Sequence, residues 1–424
     1  MRNFYDLVRF EYKKLFKRKS TWVCLTLILI SVIISIITSA YGRYWHSESG
    51  VSAIEAMQLD KQVMLSKEGD IDETFVKEAI RQNSIMMNDS NNYIVDDSGK
   101  HLKNKAYIKY ILPYEKAVNI INVVYENNPE FLSTSGFEIF NTNGVSPINK
   151  LTAEDASNFY SVVNKSIVRH IGGITELSPE EKEKHLQMLS RVRTPFYNGY
   201  AAGYSAFDNL LNIIALIILM AVAICISPIF AYEYQTKTDQ ILLSSRYGKS
   251  IAAYAKIFTG FSFSLIVSVI TLSGFIWGLL ILHGFNGYNV TLQTINVYST
   301  YPVNMLQAAL IAIAVTIFAG ILFSMFIMLL SAWCKSPFLV VVISFILLFI
   351  PGLIHISPRS RLLYQLLRTF PARTTSFSNI FSEYLFEIWG IVLTPATFYI
   401  LYSAIASIIM IPLVYKIFKH HQIG

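Results

Sequence analysis

The chain has 424 residues, of which 53% are hydrophobic and only 15% charged, with a formal net charge of +7. Soluble globular chains average about a quarter charged residues, so the composition excludes an ordinary soluble enzyme. The positive balance does not point to nucleic acid either, because the excess of bases does not sit on the polar part of the chain. Residues 42–206 hold 21 of the 28 acids with 17 Lys and Arg, a formal −4, while the remainder holds 18 bases against 7 acids, a formal +11. One segment reads as a polar domain and the rest as membrane with a basic trim.

No charged side chain occurs from Gly284 through Cys334, 51 residues without Asp, Glu, Lys or Arg. A charge at the bilayer centre costs roughly 2.5–3.5 kcal/mol even on the lenient insertion scale, so such a run is expected inside a membrane. Cys24, Cys225 and Cys334 all fall in apolar stretches. No CxxC or Cys/His spacing is present, so neither a disulfide framework nor a metal centre is expected.

In chain order, residues 1–20 read as a cytosolic amphipathic helix leading into the membrane, with Phe4, Leu7, Val8, Tyr12, Leu15 and Phe16 at helical spacing. Lys13, Lys14, Lys17, Arg18 and Lys19 place this end in the cytoplasm by the positive-inside rule. The apolar run that follows, 21–41, exceeds the h-region of a signal peptide and is read as a retained first span. An extracytoplasmic domain is expected over 42–206, mostly helical, with helix-like periodicity in 53–65, 71–88, 106–126, 152–170 and 178–191. Ser178-Pro179-Glu180-Glu181 has the cap, the first-turn proline and the acid of a helix start. Asp96-Asp97-Ser98-Gly99 and Asn141-Thr142-Asn143-Gly144 read as turns.

A second span is expected at 207–232, a cytosolic loop at 233–253, a third span at 254–282 and a short polar outer loop at 283–302. The fourth span covers 303–334 and the fifth 337–356, after a turn at Lys335-Ser336-Pro337. Residues 357–390 read as outer re-entrant or interfacial helices, a sixth span covers 391–415, and 416–424 form a cytosolic tail. Arg359, Arg361, Arg368 and Arg373 run against the positive-inside rule in that outer segment, and the expectation is that they snorkel outward. The fold class is therefore an all-α polytopic membrane protein with six transmembrane helices and an inserted, mostly helical domain.

Catalytic motifs are missing. There is no Gly-rich loop followed by Lys-Ser/Thr, no HExxH and no GxSxG. Tyr247-Gly248-Lys249-Ser250 ends like a phosphate loop but lacks the glycine run before it. No ionisable residue falls at mid-span, where coupled transporters place theirs. Asp208, Glu233, Lys256, His283, Lys335 and His355 all lie at expected span ends. No cofactor and no catalytic activity are expected of the chain itself, and energy for any transport would come from another subunit.

The informative stretch is 227–250, SPIFAYEYQTKTDQILLSSRYGKS, with Lys256 just beyond it. A span end, a carboxylate, a short exposed amphipathic helix, a turn and a returning helix follow one another. This pattern resembles the coupling region of type-2 ABC exporter permeases: an apolar span end, Glu, then Leu-Leu-Ser before a basic residue. The six spans, the amphipathic helix before the first and the back-folded segment before the last resemble that family too. The resemblance implies that Glu233, Asp239, Ile241, Leu242, Leu243, Arg246, Lys249 and Lys256 couple the chain to a cytosolic ATPase. Ile241, Leu242 and Leu243 would form the apolar contact, and Arg246, Lys249 and Lys256 the basic flank. Thr236 or Thr238 stands where the family carries Gly or a small residue, and Arg246-Tyr247-Gly248 replaces its turn proline.

The implied partners are an ABC ATPase dimer, a second permease copy or a related permease, and membrane lipids, with no nucleic acid. The implied cargo is amphipathic or hydrophobic: a peptide, an antibiotic or a lipid-like compound. The alternative is a membrane-anchored sensor or scaffold with a ligand-binding extracytoplasmic domain. Glu233 and Leu242 are both expected on an exposed loop, where substitution uncouples without unfolding.

Overall fold

A computed structural model of the chain describes residues 2–44, 52–96, 99–126, 146–238 and 251–420. The chain divides into two compact units, one of residues 1–36, 207–278 and 310–424, the other of residues 37–206 and 279–309.

In chain order, α1 (Arg2–Lys17) is followed at once by α2 (Lys19–Tyr44). Thr21 Oγ1 donates to Leu15 O at 2.8 Å and Trp22 Nε1 to Phe16 O at 2.9 Å, so side chains of α2 satisfy the last carbonyls of α1 across the corner. Next come α3 (Ala53–Leu65), strand β1 (Gly69–Asp70), α4 (Glu73–Asn88), the hairpin strands β2 (Tyr93–Asp96) and β3 (Gly99–Leu102), and α5 (Glu115–Glu126). Helices α6 (Phe159–Gly173) and α7 (Pro179–Leu189) and strand β4 (Tyr197–Asn198) complete the polar stretch. The apolar part continues with α8 (Ala202–Ile226), α9 (Pro228–Gln235), α10 (Ile251–His283), α11 (Met305–Trp333) and α12 (Pro337–Leu353). After α13 (Arg361–Arg368), strands β5 (Phe386–Ile388) and β6 (Ile391–Leu393) form a hairpin before α14 (Pro395–Lys419).

Among the described residues, five helical stretches are long and apolar enough to cross a membrane: Lys19–Tyr41, Ala202–Gln235, Ile251–His283, Met305–Trp333 and Pro395–Lys419. At 17 residues, α12 is a shorter apolar helix, at the lower edge of the roughly 17–25 residues a span requires. The protein is thus a mostly helical membrane protein.

In the apolar unit, small residues set how closely helices approach. Ser264 on α10 donates to the main-chain carbonyl of Gly320 on α11 at 3.0 Å. A Cβ at Gly260 would collide with the Met328 side chain. Chain α8–α9 breaks at Pro228, which has no N–H and cannot follow a helical turn unperturbed. Ser331 on α11 repairs the break: its Oγ accepts from the N–H groups of Phe230 and Ala231 at 3.0 Å each, and donates to Ser227 O at 2.7 Å.

Segment 357–390 contains α13, two single helical turns (Pro371–Thr374 and Phe377–Ile380) and strand β5. Three of its arginines turn to main-chain carbonyls rather than outward. Arg373 donates to the carbonyls of Pro351, Gly352 and Ile354 at 3.2, 3.3 and 2.8 Å. It therefore caps the C-terminal end of α12, where a cation also complements the helix dipole. Arg368, 2% exposed, donates to Tyr384 O and Asn379 O and lies between the rings of Tyr364 and Phe386. Arg361 donates to Leu385 O at 2.7 Å. The last helix begins at Pro395 rather than 391, because Thr394 caps it and 391–393 pair with β5, and it continues to Lys419, into the expected tail.

The second unit has its own core, built on α4, α5 and α6, with Val76, Ile80, Ile120, Ile121, Val124, Val163 and Ile167 buried together. Ser178 and Glu181 form the capping box that the sequence predicts for α7. Tyr160 Oη accepts from the Phe196 N–H at 2.7 Å and donates to Ile71 O at 2.8 Å, joining α6 to the ends of β1 and β4. Residues 283–302, expected as a polar outer loop, belong to this core. Val297 is buried in it and Tyr298 packs against it. Thr300 hydrogen-bonds the buried His185 at 2.7 Å, and Tyr298 stacks on His170 with ring centroids 4.2 Å apart. Thr291, Gln293, Thr294 and Ser299 are buried as well, whereas Phe285, Tyr288 and Ile295 stay exposed. The turn expected at 141–144 lies outside the described residues.

Candidate functional site

The most concentrated chemistry in the apolar unit is a buried ion cluster shared by α1, α9 and α10. Helix α1 turns Val8, Glu11 and Leu15 inward, the i, i+3, i+7 face of a helix. It is fastened to α10 by Tyr12 Oη and Ser262 Oγ at 2.8 Å and by the edge-to-face pair Phe4–Phe258. This places Glu11, 8% exposed, beside Lys256, which is fully buried on the second turn of α10. Glu233, 4% exposed, enters from the last turn of α9.

The geometry is an alternating ring. Lys256 Nζ donates to Glu233 Oε1 at 2.7 Å, to Glu11 Oε1 at 3.1 Å and to Ile229 O at 3.0 Å, so all three of its N–H donors have acceptors. Lys14 Nζ bridges the same two carboxylates, at 3.0 Å from Glu11 and 2.7 Å from Glu233. Burial would lower the pKa of Lys14, but the Glu11 and Glu233 carboxylates outweigh it and hold the ammonium above the ordinary lysine value. Two cations and two anions cancel, which is what makes burying them tolerable. The ring of Phe230 lies under Lys256 and packs on Phe418 of α14.

Of the residues that sequence reasoning assigns to coupling, Glu233 and Lys256 are brought together here. Asp239, Ile241, Leu242, Leu243, Arg246 and Lys249 lie outside the described residues. Glu233 is not on an exposed loop: it is helical and buried, because the helix that follows Pro228 runs on to Gln235. Glu11 and Lys14 were missed as partners, Lys14 having been read only as a positive-inside charge. The available signal was that Asp6 and Glu11 are the two acids among the first 40 residues. Among the described residues no group of three His, Cys, Asp or Glu could hold a metal ion, and the three cysteines are buried and free.

No known family matches the chain, and no curated protein and no solved structure matches it either.

Proposed function

We propose that this chain is the permease subunit of an ABC exporter in the cytoplasmic membrane, with both termini cytosolic and α12 as the fifth of six spans. A separate ATPase dimer supplies the energy, and a second permease copy or a related chain completes the pathway. The uncharged interior of the spans suits an amphipathic or hydrophobic cargo such as a peptide, an antibiotic or a lipid-like compound.

The observation that carries this reading is the ion cluster. Helix α9 ends and α10 begins on either side of loop 236–250, and the Glu233–Lys256 contact of 2.7 Å clamps those two ends together. Lys14 and Glu11 add α1 to the clamp. A displacement of the loop by a partner is therefore delivered to the second and third spans and the amphipathic helix together. Such a link is what a nucleotide-driven partner would use to bias the spans between two arrangements. The permease itself performs no bond chemistry.

The test is transport per ATP hydrolysed in vesicles holding the chain with its ATPase. Leu242→Asp, which puts a charge into the apolar run Ile241-Leu242-Leu243, is expected to abolish coupled transport while the protein still folds. An unchanged ratio would remove the loop from the mechanism.

A further inference from the structure

Beside the ion cluster lies a cavity of about 1040 Å³ within the apolar unit, bounded by the α1–α2 corner, the end of α9 and the start of α12. The geometry points to a binding site for an anionic phospholipid, whose phosphodiester meets the basic residues and whose acyl chain meets the apolar wall. The inference rests on the protein being embedded in a membrane and not on the transport reading.

Charge selects the anion. Within the cluster, Glu11 and Glu233 are balanced by Lys14 and Lys256. Lys17 and Arg18 also line the cavity, and among the described residues neither has a carboxylate within ion-pair distance. Among the described residues the cavity and the cluster beside it therefore carry a surplus of two positive charges. Arg18 stands over the ring of Tyr232 at 5.5 Å, which orients a planar donor fork suited to a phosphate. The first turn of α12 adds the positive end of a 17-residue helix whose cap residue, Ser336, makes no side-chain cap bond.

Phe10 and Phe338, 53% and 78% exposed, supply an apolar wall for acyl chain.

The test is native mass spectrometry of the purified full chain titrated with lipids of identical acyl chains. Phosphatidylglycerol is expected to bind about tenfold more tightly than phosphatidylcholine or phosphatidylethanolamine. It should also exceed soluble glycerophosphoglycerol, which keeps the headgroup and lacks the chains. Lys17→Gln with Arg18→Gln should erase the preference. Equal binding of phosphatidylglycerol and any of these probes by the unaltered protein, or an undiminished preference in the double variant, would overturn the assignment.

Discussion

Glu233 shows how far a residue's surroundings decide its role. On an exposed loop its substitution would leave the fold intact. Buried at 4% exposure between two ammonium groups, it is part of what holds three helices together. Removing one member of a buried ion pair leaves an uncompensated charge and costs about 3–5 kcal/mol. Glu233→Gln and Lys256→Met are each expected to lower the thermal unfolding temperature in detergent. The double variant, which leaves Glu11 and Lys14 to pair with each other at 3.0 Å, is expected to recover part of the loss. A double variant as unstable as the sum of the two would contradict a shared ring.

In the other unit, Glu78 accepts from Arg81 and Gln82 at 2.7 Å each, and these donors hold its carboxyl down to about 2, below its ordinary 4.5. A depressed folded pKa means that the unfolded chain takes up the proton more readily. The contribution is therefore complete above about pH 4.5 and is lost as pH falls from there through about 2. The side chain is exposed to solvent, so the effect is small. Glu78→Gln is expected to flatten the stability–pH curve in that window; an identical curve would show that this carboxyl does not contribute.

At the scale of elements, the break at Pro228 is held by one hydroxyl. Ser331→Ala would leave the Phe230 and Ala231 N–H groups and the Ser227 carbonyl without their partner, at a cost of about 1–3 kcal/mol. Ser324→Ala, which removes only a bond to Ile321 O within its own helix, is expected to cost less. Equal losses in the two variants, compared by thermal unfolding, would contradict the repair.

Elements were legible in the sequence where the signal is local. The long apolar helices follow from composition, and the start of α7 follows from Ser178 and Glu181. What could not be read depends on distant contacts. Nothing local says that Val297 joins a core with Ile120 and Ile167, or that Thr300 bonds His185, 115 positions away in the chain. Arg368 and Arg373 look like misplaced loop charges until the carbonyls they cap are seen. The ion cluster was half legible: Glu233 and Lys256 flank one loop, whereas Glu11 pairs with Lys256 across 245 positions.

For the whole molecule, the proposal commits to six spans with residues 357–390 outside. In a chain freed of Cys24, Cys225 and Cys334, single cysteines at Ser98, Ser245 and Ser376 are expected to label from the outside, the inside and the outside. An inside signal at Ser376 would overturn the six-span count.

The central claim is that motion reaches the spans from a nucleotide-hydrolysing partner through loop 236–250 and the ion cluster that flanks it. Purifying the chain from its native membrane and measuring the ATP hydrolysis that accompanies it tests this most directly. The account predicts hydrolysis with the unaltered chain and its loss with Leu242→Asp. A purified chain that brings no ATPase activity, or activity indifferent to Leu242→Asp, would contradict it.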